Sequence, residues 1–579
     1  MSHVPHLGCA YQKASRWPVT PEEKAAPQHA KKVREWDNAR LRKLAKGNEL
    51  ESVLDGQLRW NEDESLYESM DTQPVRHCVS NVKHEHLVQQ EEIGLIRKCD
   101  KNLIKRFGKA MHTYEPATAD RGHRLRPLLH PQDVNEWADF VGEMSLESTA
   151  EQMYGIDPDS EATAHDFTAG FWQGGLAEKV QYYYGFEDQT GQCWVYCRMV
   201  MGCKIAAKTM QVVSQILATA RQAPADLAVV RTTVHIDNVR FTYLKANATS
   251  GAAMTRVFRE NCEYVYATLN EEPTNAPHRI GPFCGVMYDY EHGLTWAMPK
   301  TLKKLDRALL AFESNTTLQH MMELFGLMFH LSTILRPPIA TYYHILKWYR
   351  KRTAEFANGD TTANESARVW PSTLKQLEAW VEHLKANKPV GRPTASPDNT
   401  HLFTDASDAG WGAYLMLPSG VVLIAASSWT TLEASRNINE REAMAVDNAL
   451  RAFAHHLTGA SFHLHIDNTS VIWGLAKGRS HRWNMNKRVA EIMATLKRFN
   501  ATCALHYVST RDNPADDPSR YPERYTPGPS IYPTHPTAVG TNVSQWFQGG
   551  EEKQPYHFVR SSGGSDGLAS LAVQSTLCR

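Results

Sequence analysis

The chain has 579 residues, and its 63 Lys and Arg balance its 63 Asp and Glu, so the formal net charge is zero. A chain of this length suggests roughly three or four domains, each able to bury a core. Neutrality neither supports nor excludes a nucleic-acid partner, because the placement of charge matters more than its sum. The ten cysteines show no paired Cys-x-x-Cys pattern, which argues against a disulfide framework or a zinc finger.

The first segment, residues 1–90, is polar and is predicted to be an N-terminal extension. A helix is expected over residues 22–54. Its basic side chains indicate either a nucleic-acid-binding face or, because acidic residues are interleaved, a solvated surface; they are Lys31, Lys32, Arg34, Arg40, Arg42, Lys43 and Lys46. The N-terminus lacks the apolar core of a signal peptide, and the longest apolar run, residues 324–335, is too short to span a bilayer. We therefore expect an intracellular protein, cytoplasmic or nuclear, with no membrane partner.

Two strand ends in the next segment each carry a carboxylate. The first carboxylate is that of Asp166, which precedes a turn that contains aromatic residues. The second is that of Asp237, which follows the β-branched run over residues 230–236 and precedes Asn238. A helix that starts after a glycine separates the two. Carboxylates from neighbouring strand ends can share a pair of Mg²⁺ ions in phosphoryl transfer. Each Asp taken alone is more often a turn former.

Two stretches place basic side chains where they could meet phosphate. Arg124 and Arg126 alternate along a predicted strand and therefore share a face, which suits a triphosphate or a template phosphate. A surface strand is an equally good interpretation. Residues 300–395 are predicted to be helical, and the stretch over residues 339–351 mixes aromatic with basic side chains. It is either a surface for a nucleic-acid backbone or an aromatic stripe that faces the core.

The stretch from His401 to Arg520 carries four acidic sites in a β-β-β-α-β-α-β-α order. Asn439 is the expected N-cap of its first long helix. The candidate ligands come from strand ends, loops and that helix; they are Asp405, Glu442, Asp467 and Asp516. Four such carboxylates can hold two Mg²⁺ ions about 4 Å apart, one to activate a water and one to stabilise the leaving 3′-oxygen. A nearby basic stretch, residues 479–488, could follow a nucleic-acid backbone.

Residues 110–290 resemble the fingers and palm of a reverse transcriptase. The resemblance implies that Asp166 and Asp237 bind metal, and that further residues contact nucleotide or template: Arg124, Arg126, Phe171, Gly202 and Gln211. Phe171 falls where this family carries an aromatic that screens out a ribose 2′-hydroxyl. The chain has Asn238 where the family usually has Asp, and Val200 where it usually has Pro. These two departures favour the alternative in which the polymerase-like half is a scaffold without catalytic activity.

The stretch from His401 to Arg520 resembles retroelement ribonuclease H. The matching motifs are Thr-Asp-Ala-Ser before Gly-Trp-Gly-Ala, Ile-Asn-x-x-Glu-x-x-Ala, a strand into Asp-Asn, and Asn-x-Ala-Asp-x-x-Ser-Arg. The resemblance implies that Asp405, Glu442, Asp467 and Asp516 are the metal ligands, and the last motif selects Asp516 over Asp517. The motif wording looks closest to tyrosine-recombinase retroelements, the DIRS-like group that includes VIPER elements.

Together these features predict an α+β multidomain protein. The expected parts are an N-terminal extension (1–90), right-hand reverse transcriptase fingers and palm (91–300), a helical thumb, connection and linker (301–395), an α/β ribonuclease H-like domain (396–525) and a flexible tail (526–579). The implied activities are RNA-directed DNA synthesis and cleavage of RNA–DNA hybrids. The implied cofactor is Mg²⁺, two ions in each site, or Mn²⁺, and the implied partners are RNA template, DNA primer, hybrid and dNTPs. Two alternatives are an active nuclease with a non-catalytic polymerase scaffold, and a domesticated nucleic-acid-binding protein.

Overall fold

The chain forms two compact units. Of the residues that the structure describes, one unit contains those from 26 to 148 and from 156 to 293, and the other contains residues 149–153 and those from 294 onward. Both contain helices and strands, which confirms the predicted α+β multidomain class. The computed structural model describes residues 26–115, 122–138, 144, 146–153, 156–314, 316–391, 398–525, 530–532 and 577–578.

Short helices and strands alternate as far as residue 293. The helices are α1 (Asn38–Ala45), α2 (Glu51–Glu62), α3 (His84–Glu92), α4 (Gln132–Trp137), α5 (Thr149–Met153), α6 (Glu178–Gln181), α7 (Lys204–Thr219), α8 (Pro224–Val229) and α9 (Ala248–Val265). The strands are β1 (Val79–Ser80), β2 (Ile96–Lys98), β3 (Lys109–Glu115), β4 (Arg124–His130), β5 (Ser160–Asp166), β6 (Gly185–Asp188), β7 (Cys193–Tyr196), β8 (Arg231–His235), β9 (Asn238–Leu244), β10 (Ile280–Phe283) and β11 (Val286–Asp289).

Contrary to the prediction, residues 26–90 are not an extension separate from the first unit. Trp36, Leu58 and Tyr67 are buried in the same hydrophobic core as residues of β9 and α9. The single helix expected over residues 22–54 is instead two helices, α1 and α2, separated by a turn in which Gly47 has φ +81°. The hydrophobic residues of both helices contribute to the core of the first unit.

A three-stranded antiparallel sheet lies at the centre of the first unit, in the order β5-β9-β8. Asp166, the last residue of β5, is in register with Asn238, the first residue of β9. A tight hairpin joins β8 to β9, and Ile236 in its turn has φ +57°. The sheet therefore brings Asp166 and the 236–238 turn to the same end. Separately, β3 and β4 form an antiparallel hairpin in which Arg124 lies opposite Glu115.

The second unit begins with helices and ends with a mixed sheet. Its helices from residue 294 onward are α10 (Pro299–Ser314), α11 (Leu318–Leu335), α12 (Tyr343–Ala357), α13 (Pro371–Lys385), α14 (Thr431–Ala434), α15 (Ile438–Ala452), α16 (Ala454–Leu457), α17 (Thr469–Ala476), α18 (Trp483–Arg498) and α19 (Asp516–Arg520). Its strands are β12 (Leu294–Ala297), β13 (Val390–Gly391), β14 (His401–Ala406), β15 (Gly410–Met416), β16 (Val422–Ser428), β17 (Ser461–Ile466), β18 (Thr502–Tyr507), β19 (Ser530–Tyr532) and β20 (Leu577–Cys578).

The helices of residues 299–385 pack around aromatic side chains. Trp348 and Trp380 are fully buried, and Tyr349 stacks on Phe325 with ring centroids 4.4 Å apart. Of the two interpretations of residues 339–351, this packing supports the stripe that faces the core. None of the helices in the described part of the chain combines the length and apolar content that crossing a bilayer requires.

The mixed sheet has the strand order β19-β16-β15-β14-β17-β18-β20. β14, β17 and β18 are parallel, whereas β15 runs antiparallel to β14 and β16 runs antiparallel to β15. A hydrophobic core lies between the sheet and its helices. It is formed by side chains of β14, α15, β17 and α18, which include Leu402, Val446, Leu464 and Ile492. The predicted strand and helix order is present, but α15 starts at Ile438 and its N-cap is Asn437, not Asn439.

Candidate functional site

Three carboxylates meet at one edge of the mixed sheet. Asp405 lies near the end of β14, and Asp467 directly follows β17. Because these strands are parallel neighbours, with Thr404 opposite Ile466, both carboxylates emerge at the same edge. α15 packs on β14 and carries Glu442. One carboxylate oxygen from each of the three acids lies within 4.8 Å of the others.

Burial and mutual repulsion dominate the electrostatics of this cluster. Asp405 is 4% exposed and Glu442 is 5% exposed. Burial raises the pKa of Glu442 to about 9, and the charges of Asp467 and Asp405 contribute in the same direction. Burial also raises the pKa of Asp405 to about 6, with contributions from Asp467 and Asp516. Three ionised carboxylates so close together are not stable without a compensating cation.

The donor set fits a hard divalent cation. All the ligand atoms are carboxylate oxygens, which are the ligands that Mg²⁺ and Mn²⁺ prefer. The backbone N–H of Ala406 donates to the Glu442 carboxylate, but Glu442 Oε2 is buried and has no hydrogen-bond partner among the described residues. A buried carboxylate oxygen without a donor is costly unless a cation or a proton occupies it. Asp405, Glu442 and Asp467 are therefore the residues that would hold the metal.

The fourth predicted ligand lies beside this cluster but is not one of the three. Asp516 begins α19, its charge contributes to the raised pKa of Asp405, and its Oδ2 accepts from Arg520 Nε at 2.8 Å. Asp517 is occupied elsewhere, since Tyr525 donates its hydroxyl to Asp517 Oδ2 at 2.6 Å. The structure thus turns Asp516, and not Asp517, toward Asp405. A role for Asp516 as a metal ligand stays a prediction.

Three positioning residues of this site were not assigned from the sequence. The Ser519 hydroxyl donates to Asp405 Oδ2, and the Thr510 hydroxyl donates to Asp467 Oδ2 at 3.0 Å. At Gly412, an added Cβ would lie 2.4 Å from the backbone nitrogen of Ser519, so only glycine lets α19 approach β15. Ser519 and Gly412 lie inside the motifs that carried the resemblance, but nothing in the sequence showed what they contact.

The basic stretch, residues 479–488, is held against α12. Tyr343 donates its hydroxyl to the carbonyl of His481 at 3.0 Å, and Trp483 stacks on His344 with ring centroids 5.1 Å apart. Asn486 donates to the carbonyl of Ala340 at 2.8 Å. These contacts fix the stretch at the start of α18, while Trp483 stays half exposed.

A second acidic site lies in the first unit, at the end of the β5-β9-β8 sheet. Burial raises the pKa of Asp166 to about 7, with the charge of Asp237 as the next cause, and burial also raises the pKa of Asp237. Each carboxylate accepts a hydrogen bond from an amide. Asn270 Nδ2 donates to Asp166 Oδ2 at 2.7 Å, and Asn238 Nδ2 donates to Asp237 Oδ1 at 3.0 Å. Two repelling carboxylates also suit a divalent cation, although with less charge than the cluster of three.

The turn that carries Asp237 is held by a side chain predicted to bind substrate. Gln211 is buried; its Oε1 accepts from the Ile236 backbone N–H at 2.6 Å, and its Nε2 donates to the Val234 carbonyl at 3.2 Å. The Gln211 amide is therefore used on the hairpin, and contact of Gln211 with a substrate stays a prediction. An added Cβ at Gly170 would lie 3.2 Å from Asp237 Cβ, so Gly170 packs directly against the same turn.

The remaining predicted substrate contacts lie in different surroundings. Arg124 and Arg126 share Glu115, with nitrogen–oxygen distances of 2.6 and 3.0 Å. The charge of Arg126 acts to lower the pKa of both acidic carboxyls of this site, which places Arg126 near them. Phe171 lies half-buried in a 3₁₀ turn, residues 170–173, packed against the core. Gly202 has φ +102°, and an added Cβ there would lie 2.5 Å from the Leu129 carbonyl oxygen. Substrate contact by any of these stays a prediction.

Comparison with known proteins gives one family match and several distant structural likenesses. Residues 396–499 match the ribonuclease H-like domain found in reverse transcriptase. No curated protein sequence matches the chain significantly.

Among solved structures, the chain is similar to a foamy viral protease-reverse transcriptase in complex with double-stranded DNA. The identity is 13%, 83% of each chain is covered, and the TM-score is 0.43. It is also similar to the foamy viral enzyme in complex with an RNA/DNA hybrid, at 13% identity over 76% of this chain and 55% of that one, with a TM-score of 0.40. Identities this low carry no conclusion about activity.

Proposed function

We propose that this protein is an RNA-directed DNA polymerase that also cleaves the RNA strand of RNA–DNA hybrids. The cluster of Asp405, Glu442 and Asp467, with one oxygen of each within 4.8 Å of the others, carries the proposal. It lies within the part of the chain that matches the ribonuclease H-like domain of reverse transcriptases. The partners are then the hybrid, an RNA template, a DNA primer and dNTPs.

The residues of the nuclease site divide between holding charge and fixing geometry. Divalent cations held there, two in this proposal, would activate the attacking water and stabilise the leaving 3′-oxygen. Asp405, Glu442 and Asp467 supply the negative charge, with Asp516 as the proposed fourth ligand. Ser519 orients Asp405 by its hydrogen bond. Without a cation, Glu442 holds a proton at neutral pH, since its pKa is about 9.

The test is cleavage of a labelled RNA–DNA hybrid by the full chain, with and without Mg²⁺. We expect cleavage that requires the cation, loss of cleavage in Asp467→Asn, and near-normal cleavage in the surface control Asp517→Asn. Cleavage that persists in Asp467→Asn would show that the cluster is assigned wrongly.

In the polymerase half, Asp166 and Asp237 are the proposed metal ligands, and Arg124, Arg126 and Phe171 the proposed nucleotide contacts. The proximity of Arg126 supports this, because its charge acts to lower the pKa of both carboxyls. Primer extension on an RNA template tests it. Asp237→Asn should abolish extension and leave hybrid cleavage intact.

A second candidate is an active nuclease joined to a polymerase-like scaffold that does no chemistry. Asn238 favours it, because an amide that donates to Asp237 Oδ1 replaces a carboxylate that would add charge for the cation. Hybrid cleavage without any primer extension, in Mg²⁺ and in Mn²⁺, would select this candidate.

The origin of the chain follows from the same proposal. A polymerase-like half joined to a nuclease of this type is the arrangement of a retroelement. The motif wording supports the tyrosine-recombinase, DIRS-like group. Neighbouring genomic sequence that encodes an integrase in place of a tyrosine recombinase would contradict this placement.

A further inference from the structure

A stack of arginine and tyrosine side chains lies outside both acidic sites. Tyr266 has the guanidinium carbon of Arg34 at 3.4 Å and that of Arg40 at 4.3 Å from its ring centroid. Tyr264 has the guanidinium carbon of Arg221 at 4.5 Å and that of Arg40 at 5.4 Å. We call these five residues, in the order Arg34–Tyr266–Arg40–Tyr264–Arg221, the arginine ladder. Its members come from three separate segments of the first unit.

The ladder carries more positive charge than its surroundings neutralise. Among the described residues, the carboxylate within ion-pair distance of it is that of Asp37, 3.5 Å from Arg40 Nε. Arg34 and Arg221 form no ion pair in the described part of the chain. Arg42 on the same helix as Arg40 shows the contrast, because Asp55 and Glu62 both bind it at 2.7 Å. Cation–π contacts of about 0.5–1 kcal/mol each at exposed sites offset only part of the repulsion between the guanidinium groups.

Neighbouring side chains extend the positive surface. Lys31 and Lys32 are exposed and precede Arg34, and Lys43 is exposed three residues after Arg40, on the same side of α1. None of the three lysines forms an ion pair within the described residues. The nearest acids along the chain are Glu35, which is bound to Arg198 at 2.6 Å, and Glu263, which is exposed next to Tyr264.

The ladder lies close to the acidic site of the first unit. Tyr266 is four residues before Asn270, whose amide donates to Asp166. Four extended residues span at most about 14 Å. The nearby backbone is also fixed, because Arg40 donates to the Tyr264 carbonyl at 2.9 Å and Trp36 donates its backbone N–H to the Gln173 carbonyl at 3.0 Å. The ladder is therefore a preformed positive surface whose Tyr266 lies within about 14 Å of Asn270, the residue that donates to Asp166.

We propose that the arginine ladder is a docking site for the phosphate backbone of a single nucleic-acid strand. Guanidinium groups bind phosphate with two parallel N–H donors, and stacking on tyrosine holds each group in one plane in advance. Two such groups, those of Arg34 and Arg221, with the partly used Arg40 between them in the stack, suit successive phosphates of one strand better than a single small anion. The choice of nucleic acid as the anion rests on the proposed function, whereas the excess of positive charge does not.

The test is the salt dependence of binding of fluorescent single-stranded RNA and DNA to the full chain, measured by anisotropy. For single strands, each phosphate that the protein neutralises contributes about 0.7 to the slope of log affinity against log salt. The double variant Arg34→Gln, Arg221→Gln should therefore lower the slope by about 1.4. The matched control is Arg256→Gln, Arg259→Gln on α9, because both arginines are already paired, with Glu260 and Glu271 at 2.7 Å. The control slope should not change.

Several outcomes would overturn the proposal. One is an unchanged slope in the ladder variant, and another is the same decrease in the control. A third is an unchanged strand slope with loss of binding to inorganic tripolyphosphate, which would make the ladder a site for free triphosphate. Thermal unfolding of the ladder variant within a few degrees of wild type excludes misfolding as the cause. If it unfolds early, the conservative variant Arg34→Lys, Arg221→Lys should restore stability and most of the slope.

Failure of the ladder and failure of the proposed function give different results. If the wild-type protein neither cleaves hybrids nor extends primers, but the ladder variant lowers the slope as predicted, the proposed function is wrong and the ladder proposal stands. If the wild-type protein is active and the ladder variant leaves the slope unchanged, the ladder proposal is wrong and the proposed function stands.

Discussion

Both acidic sites place carboxylates at strand ends, but they differ in charge and in architecture: parallel strands and a helix carry the first, and an antiparallel sheet with a hairpin carries the second. At the edge of the mixed sheet, three carboxylates converge, and the pKa of Glu442 rises to about 9. At the end of the β5-β9-β8 sheet, two carboxylates are each bound by an amide, Asn270 or Asn238, and the pKa of Asp166 rises to about 7. The first site depends on a cation to be stable in its ionised form. Neutral donors reach carboxylates at both sites, Ser519 and Thr510 at the first and Asn270 and Asn238 at the second, so the third carboxylate is what distinguishes the first site.

The largest effect expected in this comparison is on the site with three carboxylates. Glu442→Gln keeps the shape but removes one charge, so hybrid cleavage should fall roughly a thousandfold, the scale at which removal of one charge-stabilising group acts. Above about pH 9, where Glu442 is ionised in the absence of a cation, the same change removes repulsion, so the variant should unfold at a higher temperature than wild type without Mg²⁺. Cleavage rates and thermal unfolding in a chelator measure both. Loss of activity together with lower thermal stability would indicate damaged packing and contradict the electrostatic account.

The second-largest effect is expected from a substitution that makes the charge of the two-carboxylate site more like that of the three-carboxylate site. Asn238→Asp adds a carboxylate beside Asp237, so primer extension in Mg²⁺ should rise by roughly tenfold, while hybrid cleavage stays constant. Single-nucleotide extension on an RNA template is the measurement. Asn247→Asp, at the N-cap of α9, controls for charge added elsewhere in the unit. An extension rate that is equal in both variants would mean that the missing carboxylate does not limit this site.

A smaller effect is expected from a residue that orients Asp405. Ser519 donates to Asp405 Oδ2 and thereby acts to lower the pKa of that carboxyl. Ser519→Ala should raise the pKa of Asp405 above about 6, so the acid limb of the cleavage–pH profile should move to higher pH and activity at neutral pH should fall several-fold. Ser435→Ala, an exposed serine after α14, is the control. A uniform loss of rate at all pH values would assign Ser519 to packing alone.

The smallest effect is on stability as a function of pH. Glu442 has a folded pKa of about 9, raised above its ordinary value of 4.5. Its contribution to the free energy of unfolding is therefore complete below about pH 4.5 and is lost as the pH rises toward 9. Without metal, the unfolding temperature should fall by a few degrees from pH 6 to pH 9, and Mg²⁺ should reverse the fall. If the unfolding temperature of the wild type in chelator does not change with pH, or changes with pH as it does in the Glu442→Gln variant, the three charges do not interact as described.

Histidines on the same sheet titrate in the opposite sense. Burial lowers the pKa of His401 and His506 to about 4. A base whose folded pKa is lowered contributes stability above its ordinary value of about 6.5, and this is lost as the pH falls toward 4. The histidines therefore act on the acid side of the stability profile and Glu442 on the alkaline side, whereas Asp405 and Asp166, with raised pKa values of about 6 and 7, lose their contributions between the two.

Local patterns predicted much of the ribonuclease H-like fold. Alternating strands, the helix that carries Glu442, and carboxylates that follow apolar strands are visible within a few residues of each other, because side-chain direction repeats with a fixed period. The order of strands and helices in the second unit followed from them. The helix start was placed two residues late, because Asn437 and Asn439 are both capable N-caps and the tertiary fold selects the first.

Other features depended on contacts between distant parts of the chain. Residues 26–90 are rich in charge, yet Trp36 and Tyr67 are buried in the same core as β9. Gln211 matched a substrate-binding motif, but its amide bonds to a hairpin more than 20 residues away. Composition and motif spacing do not contain this information, since burial is decided by what packs on a residue.

The sequence by itself determined the types of ligand, the strand ends that carry them and the presence of a ribonuclease H-like segment. The tertiary structure decided which acids lie together: it joined Asp405, Glu442 and Asp467, and placed Asp516 beside Asp405. It also decided their protonation, because pKa depends on burial and on charges brought from far along the chain. The sequence determines which groups are available, and the distances between them decide what those groups can do.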